Sequence, residues 1–247
     1  MELEDLGRNW DRLGAEDPFW AVLSDRARRG NKWDQDEFFE SGRREISQLL
    51  SYLEGLDIHI GRSAALDFGC GPGRLVQGLA AHFDDVMGVD IAPSMVDLAA
   101  RLNPHGDRCH FHVNATGDLQ LVGDRRFDLV YTHLVLQHMS PVHARAYIAE
   151  FLRVVKPDGV VVFQVPTRSS KQRVKEWIPD ALLSAYRAVR SRGRPTIQMN
   201  GLDPSDVDRT VRSAGGEVVH RQRWRRDSDA YRNESDLGFR YFARKRQ

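Results

Sequence analysis

The first chemistry in this chain lies in Asp67-Phe68-Gly69-Cys70-Gly71-Pro72-Gly73, where one carboxylate precedes three alternate glycines. Glycines at that spacing let the backbone adopt positive φ and approach a ligand closely. A turn of this kind, between an apolar run and a helix start, suits a nucleotide-like ligand. Asp67 narrows the choice, because a carboxylate here repels a pyrophosphate and welcomes a cationic ligand with an amino-acid tail. The next apolar run ends in Asp90, which can accept hydrogen bonds from both hydroxyls of a ribose, each worth about 1.5–3 kcal/mol when charge-assisted. No Gly-x-x-x-x-Gly-Lys run exists, and Arg74 stands where the dinucleotide fingerprint needs a third glycine. His133 and His138 follow the fourth apolar run and are natural bases near neutral pH. His143 ranks behind them. Cys109-His110-Phe111-His112 alternates as a strand does, so strand packing is expected there and no metal site.

The elements that must position these residues alternate regularly. Strands are expected at Ala64 to Phe68, Val86 to Asp90, His110 to Val113, Phe127 to Thr132 and Val160 to Val165. Helices are expected from Ser41 to Leu56 and Arg74 to His82, and opening at Pro93 and Pro141. Such alternation argues for a parallel sheet with helices on both faces and ligands at the carboxyl ends of the strands. Residues 1–56 read as an N-terminal helical cap segment, with Trp33, Phe38 and Phe39 as candidates to close over a ligand. Residues 57–247 read as the main domain. Its helical insertion at 167–200 has a helix expected at Asp180 to Val189 and a basic run from Arg168 to Arg194. A helix capped by Asp203-Pro204-Ser205 follows, and Glu217 to Trp224 and Leu237 to Ala243 form two closing strands.

Composition bounds the rest. The chain has 247 residues, 41% hydrophobic, with 36 basic and 35 acidic side chains and a net charge of +1. That balance supplies no field favouring nucleic acid or acidic membrane. No apolar run is long enough to span a bilayer, and the acidic start does not resemble a signal peptide, so a cytoplasmic protein is expected. Two cysteines, Cys70 and Cys109, are too few for a disulfide framework.

Over about residues 60 to 165 the chain resembles the class I S-adenosylmethionine-dependent methyltransferases. Leu66 to Gly73 is similar to the family's first motif, and Gly88 to Met95 to its second. Phe127 to His133 is similar to the motif at the fourth strand, and Leu152 to Val162 to the Leu-Lys-Pro-Gly-Gly motif, with Asp158 in place of one glycine. The resemblance implies a Rossmann-like, doubly wound, seven-stranded sheet, six strands parallel and the last antiparallel. It implies S-adenosylmethionine as cofactor, with Asp67, Gly69, Cys70, Gly71 and Gly73 around the methionyl part. Asp90 would take the ribose, Ile91 the adenine face with Met95 nearby, and Asn114 and Ala115 the adenine edge. Thr132 lies at the methyl end. Trp33 to Arg43 resembles a helix that covers the cofactor in some members, with Arg43 toward the cofactor carboxylate. In-line methyl transfer to a small-molecule hydroxyl, of a saccharide or a secondary metabolite, is then expected, with His138 or His133 as base. RNA or protein methylation, or a catalytically silent cofactor-binding module, are the alternatives. The oligomeric state stays open.

Overall fold

The structure, a computed structural model, describes residues 2–168, 199–225 and 237–246. The strands are β1 (Ala64–Phe68), β2 (Asp85–Asp90), β3 (Cys109–Val113), β4 (Phe127–Thr132), β5 (Val155–Pro166), β6 (Gly216–Arg225) and β7 (Leu237–Lys245). They form one seven-stranded sheet in the order β3-β2-β1-β4-β5-β7-β6. Every pairing is parallel except those of β7, which runs antiparallel to both β5 and β6. Six strands thus share one direction and one opposes them. The sheet order reverses beside β1, so the crevice for a ligand opens at the carboxyl ends of β1 and β4.

The central strands are continuously apolar because both faces are covered. On one face, Leu66, Val130, Val161 and Phe163 pack with Tyr147 and Phe151 of α6 (Pro141–Val154). On the other, Ala65, Leu129 and Val162 pack with α3 (Gln35–Gly55) and α4 (Arg74–Leu79). Helix α3 presents Ile46, Leu49, Leu50 and Leu53 to that core. Helix α1 (Leu3–Glu16) and the short α2 (Pro18–Val22) lie on α5 (Pro93–Arg101), where Leu13, Ala21, Ala92 and Met95 make a third small cluster. Helix α7 (Pro204–Ser213) follows the insertion. The insertion's helix expected at 180–189 lies outside the described residues.

Several expected boundaries shift, most of all at α3, which begins at Gln35 and not at Ser41, with Asp34 accepting from Glu37 N–H at 2.9 Å as its cap. Helix α4 ends at Leu79, not at residue 82, because the chain tightens into short-range turns there, His82 N–H donating to Leu79 O at 2.8 Å. Strand β5 begins at Val155, with the Lys-Pro-Asp-Gly turn inside it as an irregularity between the pairs Phe127–Val155 and Leu129–Val160.

Candidate active site

The glycine turn hangs from β2. Gly69 and Cys70 donate their N–H groups to Val89 O at 2.8 and 3.0 Å, and Gly71 N–H donates to Asp90 Oδ2 at 2.8 Å. Gly69 takes φ 77°, and a Cβ there would meet Val135 Cγ2 at 2.3 Å. The position therefore needs glycine for two separate reasons. Asp90 also accepts from Ala92 N–H at 2.9 Å. Burial pushes its carboxyl up, and the backbone N–H groups of Ala92, Gly71 and Ile91 oppose that shift.

Asp67 is 1% exposed, and neither of its carboxylate oxygens has a hydrogen-bond partner. Burial pushes its pKa up to about 8, against the pull of Arg74 and with help from Glu45 and Asp90. An orphaned buried carboxylate is costly unless something cationic comes to it. This is the donor set expected beside the sulfonium and amino group of S-adenosylmethionine. The residues fit that cofactor: an unpartnered acid, a glycine cradle, and a second acid at the end of β2.

A cavity opens above the turn. Of the sequence candidates, Gly69, Gly71, Asp90, Ile91, Met95, Asn114, His133 and His138 line it. Asn114 donates from Nδ2 to Asp118 O at 3.0 Å and to the Tyr147 hydroxyl at 3.1 Å, and its carbonyl oxygen accepts from the Thr116 hydroxyl at 3.3 Å. The Tyr147 hydroxyl itself donates to Thr116 O. His138 lies 4.9 Å from Trp10, ring to ring, and its Nε2 is 3.1 Å from Gln137 Nε2.

The other candidates stand back from the lining, the buried Asp67 among them. Cys70 turns into the core, against Gly88, and Gly73 serves α4 as its N-cap at φ 87°. Thr132 is buried, with Oγ1 unpartnered, and Ala115 is exposed away from the lining. Arg43 is a correction. Helix α3 turns Gly42, Ile46 and Leu49 inward, so Arg43 falls on the outer side, where its Nε meets Glu40 at 2.8 Å. Trp33 is another: its indole N–H donates to Leu23 O at 3.2 Å and Arg28 sits over its ring. Phe38 and Phe39 pack with Phe19 and are buried. The residues that roof the cavity are instead Leu6 and Trp10 of α1 with Ala21 and Val22 of α2.

Two side chains that sequence reasoning left out, Glu45 and Tyr131, meet His133, and Arg74 in turn meets Glu45. Glu45, from α3, places Oε1 2.6 Å from His133 Nδ1 and accepts the Tyr131 hydroxyl at 2.6 Å on the same oxygen. Its Oε2 accepts from Arg74 Nη2 at 2.8 Å. Burial works to raise the Glu45 carboxyl, but His133 and Arg74, with the Tyr131 hydroxyl, hold it well below the usual carboxylate range. Tyr131 and His133 stack at 6.2 Å. Beside them Leu134 holds φ 63°, a strained conformation for a branched side chain that costs on the order of 1–3 kcal/mol and gathers at functional sites. The signal for Glu45 was present: Phe38, Gly42, Glu45 and Leu49 share one helical stripe, and an acid in an apolar stripe faces inward.

Among the described residues no group of three or more His, Cys, Asp or Glu side chains could hold a metal ion. No described helix is long and apolar enough to cross a membrane.

Residues 65–159 match a methyltransferase domain family. A ubiquinone biosynthesis O-methyltransferase from Azoarcus sp. (strain BH72) is 29% identical over 195 residues, 76% of this chain and 78% of that protein. Proteins of the same name from Rhodopseudomonas palustris are matched over 52% of their length, so the chain spans about half of those relatives. Among solved structures, a SAM-dependent methyltransferase from Leishmania major aligns with TM-score 0.63 at 13% identity, over 98% of this chain and 82% of that one. Magnesium protoporphyrin IX methyltransferase from Synechocystis PCC 6803, solved with SAH bound, aligns with TM-score 0.58 at 18% identity, over 94% and 98%.

Proposed function

We propose that this chain, which carries a class I S-adenosylmethionine-dependent methyltransferase domain, methylates a hydroxyl of a small molecule with His133 as the general base. S-adenosylmethionine is the cofactor. When bound it supplies a methyl group on a sulfonium sulfur, which leaves with the S–C bonding pair as the acceptor oxygen forms the new O–C bond. Asp67 balances the cationic part of the cofactor, Gly69 and Gly71 let the backbone lie against it, and Asp90 takes the ribose. Ile91 and Met95 provide the apolar wall for the base, with Asn114 at its polar edge.

The observation that carries the hydroxyl reading is the imidazole of His133, set in the cavity lining where β4 ends beside the glycine turn. A hydroxyl gains from losing its proton as it is methylated, and a placed base supplies roughly 10²–10⁴ in rate. The relatives named as O-methyltransferases point the same way. His138 belongs to the wall in this reading, packed on Trp10. Leu6, Trp10, Val22, Val135 and Met139 make the lining mainly apolar, which suits a hydroxylated secondary metabolite better than a saccharide. Helices α1 and α2 act as the cap, and a cytoplasmic setting goes with this reading.

Methyl-labelled S-adenosylmethionine offered with phenols, hydroxy acids and saccharides tests this. A labelled O-methyl product is expected, and His133→Gln lowers kcat about 10²–10⁴-fold while S-adenosylhomocysteine binds as before. Label on nitrogen, on carbon, or on added RNA or protein would overturn the acceptor assignment. Tight cofactor binding with no labelled product would mark a silent module.

A further inference from the structure

Glu45 has no place among the cofactor contacts, yet it is largely buried and fully committed. Its side chain is 19% exposed and lies against a guanidinium that is 4% exposed. One carboxylate oxygen faces Arg74, and the other faces both Tyr131 and His133. A buried acid paired to a buried cation adds little to stability over an apolar pair, so its retention calls for another account.

We propose that Glu45 is a positioning residue that fixes His133 in one tautomer, with the proton on Nδ1 and the lone pair on Nε2. The inference rests on the reading of His133 as base. With a carboxylate oxygen 2.6 Å away, a proton on Nδ1 turns a contact of two lone pairs into an attraction, so the neutral ring is favoured with its proton there. Nε2, turned away from Glu45, is then the nitrogen that accepts. In the transfer the acceptor O–H bond breaks, a new N–H bond forms at Nε2, and the imidazolium stands against an anion already in place. A carboxylate on the far side of a histidine holds the ring and steadies the charge it acquires. Each neighbour serves that state. Arg74 keeps Glu45 ionised, and Tyr131 donates at 2.6 Å to the oxygen that faces the ring, which limits where that oxygen can move. Among the described residues, the other charged groups that face this cluster are Asp67 from β1 and Arg240 from β7. The acid comes from α3 and the base from the end of β4, so closing α3 onto the sheet assembles the pair.

The test is the tautomer itself, read without any acceptor. The full chain is labelled with 15N-histidine, and two-bond 1H–15N correlation spectra are recorded at alkaline pH, with His133 assigned by its loss in His133→Gln. Wild-type protein should show protonated Nδ1 and bare Nε2. In Glu45→Gln the ring should move to the opposite tautomer or a mixture, while Glu45→Asp should restore much of the wild-type pattern. Removing the acid alone strands Arg74, so Glu45→Gln combined with Arg74→Met serves if the single variant does not fold. An unchanged His133 pattern in a folded variant overturns the proposal. Failure of the base reading is separate: there the tautomer shifts with Glu45, but His133→Gln methylates hydroxyl acceptors at the wild-type rate.

Discussion

Asp67 and Asp128 sit on adjacent paired strands, β1 and β4, at 1% and 3% exposure, with opposite surroundings. Asp128 accepts from Ser63 Oγ at 2.6 Å, Ala64 N–H at 2.8 Å and Lys156 Nζ at 2.9 Å. Burial would raise its carboxyl, and those three partners lower it on balance. Asp67 has no such partners and rises to about 8 from an ordinary 3.8. A raised carboxylate means the folded chain holds the proton more tightly than the unfolded one. Its favourable contribution is therefore complete below pH 3.8 and is lost as pH climbs to about 8. Asp67→Asn should remove that loss. At pH 8 the cofactor-free variant is expected to be more stable by about 1–3 kcal/mol, with a flatter pH dependence between 4 and 8 in thermal denaturation. Calorimetry should show weaker binding of S-adenosylmethionine, and a smaller loss for S-adenosylhomocysteine, whose sulfur is neutral. Asp67 and Asp90 were legible as acids beside a glycine turn and at a strand end, which is where the structure has them. That Asp128 is a structural acid was not, since its partners Ser63 and Lys156 come from other parts of the chain.

Helices α3 and α4 cross closely enough that their backbones touch. A Cβ on Gly42 would lie 2.2 Å from Arg74 O, and one on Gly78 would lie 2.8 Å from Gly42 O. This approach is what lets Glu45, one turn beyond Gly42, reach Arg74 and the end of β4. Gly42→Ala should push the helices apart, lowering stability in urea denaturation by about 1–3 kcal/mol and lengthening the Glu45 contacts. Most elements could be read from periodicity, and β1 and β4 fall on their expected residues. The strand count and the one antiparallel strand followed from the resemblance, and register is fixed by which faces are buried. The Glu45–His133 pair could not be read that way. It joins residues 88 apart in number through a helix crossing set by two glycines, and no local pattern encodes a crossing.

Across the whole molecule, the sheet is closed on both faces by α3, α4 and α6, while α1 and α2 are held by a smaller contact. Asp11 Oδ1 accepts from Ser94 N–H at 2.8 Å, and Ser94 Oγ donates to Asp11 O at 2.9 Å. The first bond satisfies a free N–H at the start of α5, where a negative charge is also favoured by the helix dipole. Gly7 and Gly14 bring α1 against Ile91 and Met95. The aromatic start of the chain was expected to act as a cover through Trp33, Phe38 and Phe39; those residues knit α2 and α3 together, and it is Trp10 and Leu6 that line the cavity. Asp11→Ala should cost about 1 kcal/mol of that docking. Hydrogen exchange should quicken over residues 3–24 with the sheet unchanged, and S-adenosylhomocysteine should dissociate about fivefold faster. Should both changes appear together in Asp11→Ala, the roof would set the residence time of spent cofactor. A looser roof makes a catalyst that cycles faster when cofactor is plentiful and idles sooner when it is scarce.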